Sequence, residues 1–264
     1  MSIYNRQINQ EQQAFFAWGI LIDYAKQRKK ITYKELTAKM GVHYRASRYF
    51  LEVIQSYCMQ QKYPPLTILA ISTSTGMPGS GFIAWDRDDL ESGYESVFNF
   101  NWKALENPFR YAKSGTTIKI LSNQLISKTI SKEELFVKVK ARGQLQNIFR
   151  TSILEIYEYK CAFCGFSIIE ALEAVHIKPW EKCTRNEKLD ITNGILLCSI
   201  HHKLFDKKIL TISDDYKIMG EKRRFLANKY NRYFTSDLIG MKLALPNLLD
   251  YYPSIKYIQN HRKK

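Results

Sequence analysis

Two short cysteine-containing turns constrain this 264-residue chain more than any other feature. Cys161-Ala-Phe-Cys164-Gly is a CxxC turn, whose intervening pair bends the backbone so that both thiolates can close on one ion. Later in the chain, Cys198-Ser-Ile-His201 supplies a third sulfur and an imidazole, which completes the donor set of a tetrahedral structural zinc site. Isolated CxxC pairs arise by chance, and buried thiols without metal are the plainer alternative. Two knuckles in a chain with only five cysteines favour Zn2+. An odd cysteine count and a start, MSIYNRQINQEQQAFF, with neither a secretory apolar segment nor transit-peptide character argue against a disulfide framework. A cytoplasmic location is expected. Cys58, in YFLEVIQSYC, reads as a small core residue, and Cys183 as a polar-loop residue without a role.

Helix geometry divides the chemistry near the second knuckle. If residues 197–207 are helical, Cys198 and His201 share one face, while His202 and Asp206, four apart, share another. Adjacent helical residues point about 100° apart, so His201 and His202 should serve different sites. One face would hold zinc, and the next would present an imidazole and a carboxylate toward a strand bearing His176. Such a mixed nitrogen and oxygen site suits Mg2+ or another divalent metal that must also grip a phosphate. Taken alone, His176 is one histidine on a mainly apolar strand ended by Pro179, the ordinary setting of a satisfied core side chain. Its company argues otherwise, because three of the five histidines fall between residues 176 and 202, framed by the knuckles.

Forty Lys and Arg against 25 Asp and Glu give a net charge of +15, which makes a polyanion the natural partner. Charge that serves only solubility is the bland alternative. No apolar run approaches the roughly 20 residues of a membrane span, and the basic residues do not gather on one amphipathic helix, so no membrane partner is expected.

The N-terminal third reads as a helix from Gln10, a short helix after the N-cap Thr32 and a longer helix from His43, the outline of a helix-turn-helix. Arg45 and Arg48 near the start of the third helix are candidate DNA contacts. An apolar strand from Leu66, a GMPGSG turn and FIAW from Phe82 would complete a winged helix, although small scaffolds without nucleic-acid function share that outline. The expected fold class is α+β: a mostly helical, winged-helix-like domain over residues 1–115, which recognises or positions DNA, and a second domain over 116–264. Residues 87–132 read as mixed and polar. A helical pattern resumes at Ser131 with a break at Gly143, and strand-like ILTIS and YKIMG follow the cysteine-histidine core.

Taken together, CAFCG, LEAVHIKPW, LDITNGILLC and HHKLFDKKILTI resemble the HNH nuclease family with its ββα-metal core, in the branch of restriction-type enzymes. RGQLQNIFRTSILEIYEYKC is similar to the approach helix of that branch, and GMKLALP with NHRKK to its ending, so the likeness covers roughly residues 140–262 with a core at 161–212. The resemblance implies a metal-dependent DNA endonuclease. In it, His176 matches the general base, Asn193 the residue bracing the loop that orients the base, and His202 a metal ligand, with Asp206 at the position of a second helical ligand. Lys178, Lys203 and Lys207 lie beside these positions as candidate phosphate contacts. Many members carry Asp or His before the base, where this chain has Val175; Glu173, two residues back, is a candidate substitute. The implied partner is double-stranded DNA. One such site cuts one strand, which makes a homodimer the simplest source of a double-strand break. The rival reading, kept open by Val175, is a zinc-stabilised DNA-binding regulator on an inactive HNH scaffold. An RNA-directed nuclease lacks a recognisable stacking module.

Overall fold

The computed structural model describes residues 9–221 and 228–263. The last residue of the terminal NHRKK thus lies outside the described residues. The chain divides into two compact units, Met1–Ile120 with Phe136–Leu145, and Leu121–Leu135 with Gln146–Lys264.

The first unit begins with α1 (Gln10–Lys26), whose N-terminus is capped by the Asn9 side chain accepting from the Gln12 amide. Ala14, Ala17, Trp18, Leu21, Ile22 and Ala25 recur at helical spacing and are buried. β1 (Ile31–Thr32) leads into α2 (Tyr33–Lys39), capped by Thr32 as the sequence predicts. Gly41 at φ +65° closes the turn before α3 (Ser47–Gln61). Trp18 sits at the centre of this core, edge-on to Tyr57, Trp102 and Phe109. Cys58 is fully buried among these residues, and burial pushes its thiol up to about 12, as befits an inert core side chain.

The expected wing does not form among the described residues. Leu66–Leu69 is a 3-10 turn, and residues 82–85 make no strand. Pro64 and Pro65 precede that turn, and all four of its side chains are buried, so there is no alternation between a core face and a solvent face. β2 (Ala70–Ile71) instead pairs in parallel with β1. α4 (Leu90–Asn99), with Asp89 as its cap, and α5 (Ile118–Ile126) replace much of the stretch read as mixed and polar.

α6 (Lys132–Lys138) and α7 (Arg142–Ile156) follow. The break between them falls at residues 139–141, and Gly143 lies inside the first turn of α7 rather than at the break. The second unit is built on an antiparallel hairpin of β3 (Leu172–His176) and β4 (Gly194–Cys198), in a register that pairs His176 with Gly194 and Leu172 with Cys198. β4 is buried throughout and passes directly into α8 (Ser199–Asp206). The helix therefore begins two residues later than the sequence suggests, with Cys198 as strand end and cap. β5 (Leu210–Ile212) and β6 (Ile218–Gly220) form a second hairpin, and α9 (Lys229–Phe234) and α10 (Ile255–Arg262) complete the chain. α10 packs on β5, and its His261 stacks on Phe205 of α8 at 3.7 Å between ring centres. The His261 Nε2 donates to the Phe205 carbonyl at 3.1 Å, so the C-terminal helix locks α8 in place.

No helix among the described residues is long and apolar enough to cross a membrane.

Candidate functional site

Cys161, Cys164, Cys198 and His201 bring one donor atom each to within 4.8 Å of one another. The first knuckle closes through hydrogen bonds from the Cys161 amide to the Phe166 carbonyl and from the Gly165 amide to the Cys161 carbonyl, both 2.8 Å. Gly165 holds φ +73° there, a left-handed turn that a side chain would strain. The Ala162 amide donates to the Leu196 carbonyl at 2.8 Å, which ties this knuckle to β4 and so to the second.

The tautomer of His201 follows from its partner. Its Nε2 lies 3.1 Å from the Phe234 carbonyl, an acceptor only, so Nε2 carries the hydrogen and Nδ1 turns its lone pair to the sulfurs, 3.2 Å from Cys198 and 3.5 Å from Cys161. Burial alone would lower this imidazole's pKa, but the Cys161 and Cys198 sulfurs outweigh it and raise the value to about 9, so without a metal Nδ1 holds a proton toward the sulfurs, in the place a cation would take. Three sulfurs and one oriented nitrogen thus face one position that favours positive charge. This is the donor set of a structural zinc, with the Phe234 carbonyl fixing the imidazole from outside.

α8 separates its two histidines as the turn per residue requires. His201 is fully buried among the sulfurs, while His202 is half-buried and directs Nδ1 to Glu173 Oε2 at 2.5 Å and Nε2 to Asp206 Oδ2 at 3.2 Å. α8 thus reaches β3 through Glu173. Strand alternation puts Glu173 and Val175 on one face of β3 and His176 on the other. Burial would raise the Glu173 pKa, but the Ser199 hydroxyl, His202 and the charge of Arg150 hold it below the usual carboxylate range. A carboxylate can only accept, so His202 donates from Nδ1. Its Nε2 lone pair then faces a second carboxylate oxygen, an arrangement that needs a proton or a cation between the two atoms. Their separation of 3.2 Å suits neighbouring ligands of one octahedral ion with bonds of about 2.1 Å. His202 and Asp206 are thus placed to share a proton or a divalent cation, with Glu173 orienting the imidazole. Among the described residues, however, only the cysteine-histidine group brings three or more donors together.

His176 ends β3 on the opposite face, where Phe149 of α7 stacks on its ring at 3.7 Å and Trp180 meets it edge-on. Its Nε2 donates to the Lys188 carbonyl at 3.0 Å, which leaves Nδ1 as the basic atom. Burial lowers its pKa to about 4, so the ring is neutral at physiological pH. Gly194, across the hairpin, makes this packing feasible, since a Cβ there would strike Phe149 and Ile153.

Asn193 is fully buried and ties the loop between β3 and β4 together. Its Oδ1 accepts from the Lys178 amide at 2.8 Å, and its Nδ2 donates to the Glu187 carbonyl at 3.2 Å. The Asn193 carbonyl accepts from the Ile177 amide at 2.9 Å. Residues 177 and 178 directly follow His176, and Glu187 directly precedes Lys188, so Asn193 braces both arms that hold the imidazole.

Cys183 belongs to this brace, contrary to the expectation that it has no role. It is buried, its thiol donates to the Lys178 carbonyl at 3.1 Å, and Asn193 Nδ2 lies 3.2 Å from its sulfur. No spacing signal marks it in the sequence. Lys178 is likewise engaged, its ammonium 2.5 Å from Glu187 with both side chains largely buried. Lys178 and the Thr184 amide hold the Glu187 pKa down to about 2. Lys203 and Lys207 are exposed on and just after α8, and Arg45 and Arg48 are exposed near the start of α3.

Residues 161–213 match the HNH endonuclease family. The matched stretch holds both knuckles, the β3–β4 hairpin, Asn193 and α8, and the HNH domain is therefore C-terminal. No curated protein matches the chain. An HNH endonuclease domain places a nuclease activity and a nucleic-acid substrate within this chain's chemistry, and the cysteine-histidine cluster within it fits zinc.

Proposed function

We propose that the protein is a metal-dependent DNA endonuclease of restriction type, in which His176 is the general base and the C-terminal HNH domain cuts DNA positioned by the N-terminal unit. The observation that carries this reading is the hydrogen bond that commits His176 Nε2 to the Lys188 carbonyl, inside a stretch that matches the HNH endonuclease family, and leaves Nδ1 to accept a proton.

In this mechanism the scissile phosphate lies across the end of β3, where His176 is the last residue, so that Nδ1 of His176 takes the proton of the water attacking in line while the groups of the other face reach the same phosphate. Stacking on Phe149 fixes the plane of the ring, and Asn193 holds both arms of the loop that fixes its tautomer. His202 and Asp206 would hold a divalent metal, with Glu173 keeping the imidazole's Nε2 lone pair available on the side of Asp206. When bound, such a metal supplies polarisation of the phosphate and stabilisation of the charge that builds on the departing oxygen. Lys203 and Lys207 present positive charge beside the site for the flanking phosphates, with Arg45 and Arg48 doing so on the N-terminal unit. Val175 supplies no ligand, and the Glu173–His202–Asp206 series supplies the polar groups on that face of the hairpin instead. Cys161, Cys164, Cys198 and His201 hold structural zinc and take no part in the cut.

Purified protein with Mg2+ or Mn2+ should nick or linearise supercoiled plasmid. A protein that shifts DNA in a gel without producing fragments in any divalent metal would instead be the zinc-stabilised DNA-binding regulator, and the catalytic assignment would fall.

A further inference from the structure

The N-terminal unit contains a groove of about 600 Å³ that the nuclease chemistry does not use. α3 contributes Arg48, Glu52 and Met59 to its lining, and residues 79–83 form another part of it. This second segment is fixed in place. Gln55 donates to the Gly81 carbonyl at 3.1 Å and accepts from the Ile83 amide at 3.0 Å, the Tyr33 hydroxyl accepts from the Gly79 amide at 2.7 Å, and Arg87 donates to the Gly79 carbonyl at 2.8 Å. The segment's backbone is thus committed to the protein, and the groove is preformed.

Three other polar groups lining the groove have no hydrogen-bond or ion-pair partner among the described residues. Thr67 is only 5% exposed, and its hydroxyl, buried, has no hydrogen-bond partner among the described residues. Arg48 and Glu52 are exposed, lie one helical turn apart and have no ion-pair partner among the described residues. Met59 and Ile83 expose apolar surface at the same groove, 46% and 68% respectively. A cation, an acceptor, a spare hydroxyl and apolar surface therefore converge on one volume, within the roughly 300–1,000 Å³ of small-ligand sites. Tyr44 and Tyr49, both about half exposed, lie against Arg45 and Arg48 beside it and extend a basic, aromatic surface.

We propose that this groove receives a single nucleotide extruded from duplex DNA, with Arg48 on its phosphate and Glu52 and the Thr67 hydroxyl on the edge of its base. This deepens the reading of the chain as a DNA endonuclease and rests on it. Concavity separates it from ordinary helix-turn-helix recognition. A helix that reads base edges must project into a major groove, whereas the Arg48–Glu52 face of α3 borders a hollow that residues 79–83 help to line. A paired base cannot enter that hollow, and an unstacked one can. Extrusion is easiest where pairing is already weakened, so the site should reveal itself as a preference for destabilised pairs.

The test measures binding of the full, zinc-loaded chain, without added magnesium, to otherwise identical duplexes that are fully paired or carry one mismatch, with 2-aminopurine at the variable position. The expected result is about tenfold tighter binding to the mismatched duplex and a rise in 2-aminopurine emission on binding. Thr67→Val and Glu52→Gln should each shrink that preference toward unity without lowering affinity for the fully paired duplex. Glu52 is exposed, so its variant keeps the proposal testable if Thr67→Val fails to fold. Equal affinity for both duplexes with flat emission overturns the extrusion site and leaves the nuclease reading standing. No binding to any duplex overturns both.

Discussion

Replacing Asn193 with alanine removes the brace on which the geometry of His176 depends, and the structure allows the loss to be sized. The side chain is fully buried and satisfies the Lys178 amide at 2.8 Å and the Glu187 carbonyl at 3.2 Å. Truncation leaves both backbone groups without that partner, at about 1–3 kcal/mol for each buried polar group left unsatisfied. A loss of about 2–6 kcal/mol is expected, toward the lower end if water fills the space. That is a large fraction of the ~5–15 kcal/mol of an ordinary domain, yet compatible with a folded protein. Denaturant unfolding gives the energy, and hydrogen exchange at the Lys178 amide gives its location, because that amide should lose protection before the β3–β4 ladder does. Asn193→Asp keeps the acceptor for the Lys178 amide but turns a buried carboxylate oxygen toward the Glu187 carbonyl, so it should spare protection of that amide while still destabilising the fold. DNA cleavage should fall in both variants, since the Lys188 carbonyl would no longer be held against His176 Nε2. Loss of less than about 0.5 kcal/mol, with the Lys178 amide still protected, would refute the bracing argument.

Other perturbations follow from the same geometry. Gly194→Ala places a methyl against Phe149 and Ile153 and should cost about 1–3 kcal/mol by overpacking, read in thermal unfolding, with impaired cleavage because Phe149 can no longer stack on His176. Burial holds the His176 pKa near 4, against 6.5 for the ordinary imidazole, so below 6.5 the unfolded chain binds a proton that the folded chain does not. Stability should therefore be unaffected by this group above about pH 6.5 and fall by up to ~3 kcal/mol as pH drops toward 4, at about 1.36 kcal/mol per pH unit. An NMR titration showing the His176 ring charged at pH 6 would contradict that. Glu173→Gln should weaken Mn2+ binding, measured by calorimetry, by about 10–100-fold, the usual effect of losing a partner that orients a ligand, while zinc content stays unchanged.

How far the sequence reaches is clearest at α8. Spacing alone separates the His201 face from the His202 face, because the turn per residue leaves no other arrangement once a helix forms. What spacing does not show is that Cys198 still belongs to β4, since an apolar run such as ILLC fits a buried strand or a helix equally well. The same ambiguity explains Leu66–Leu69, where four buried side chains read as a strand and form a turn beneath α1, α3 and α4. α4 escapes notice because a polar, aspartate-rich stretch precedes it and a glycine, Gly93, lies within it. Gly93 closely approaches Ile68 and Trp85, a tertiary requirement invisible to local propensity. At the site, the residues legible in sequence are those whose chemistry sets their spacing, the zinc donors above all. Cys183 and Lys178 act by touching Asn193 and Glu187 across a folded loop, and no periodic pattern announces such contacts.

The central claim, that His176 Nδ1 takes the proton in phosphodiester cleavage while the zinc donors only hold the scaffold, is tested most directly by DNA cleavage with His176→Ala at matched zinc content and Mg2+ concentration. The account predicts wild-type zinc content, retained DNA binding and a fall in cleavage of at least about 10²-fold, the lower range of general-base contributions. Cleavage at the wild-type rate by a zinc-replete, folded His176→Ala protein would contradict it.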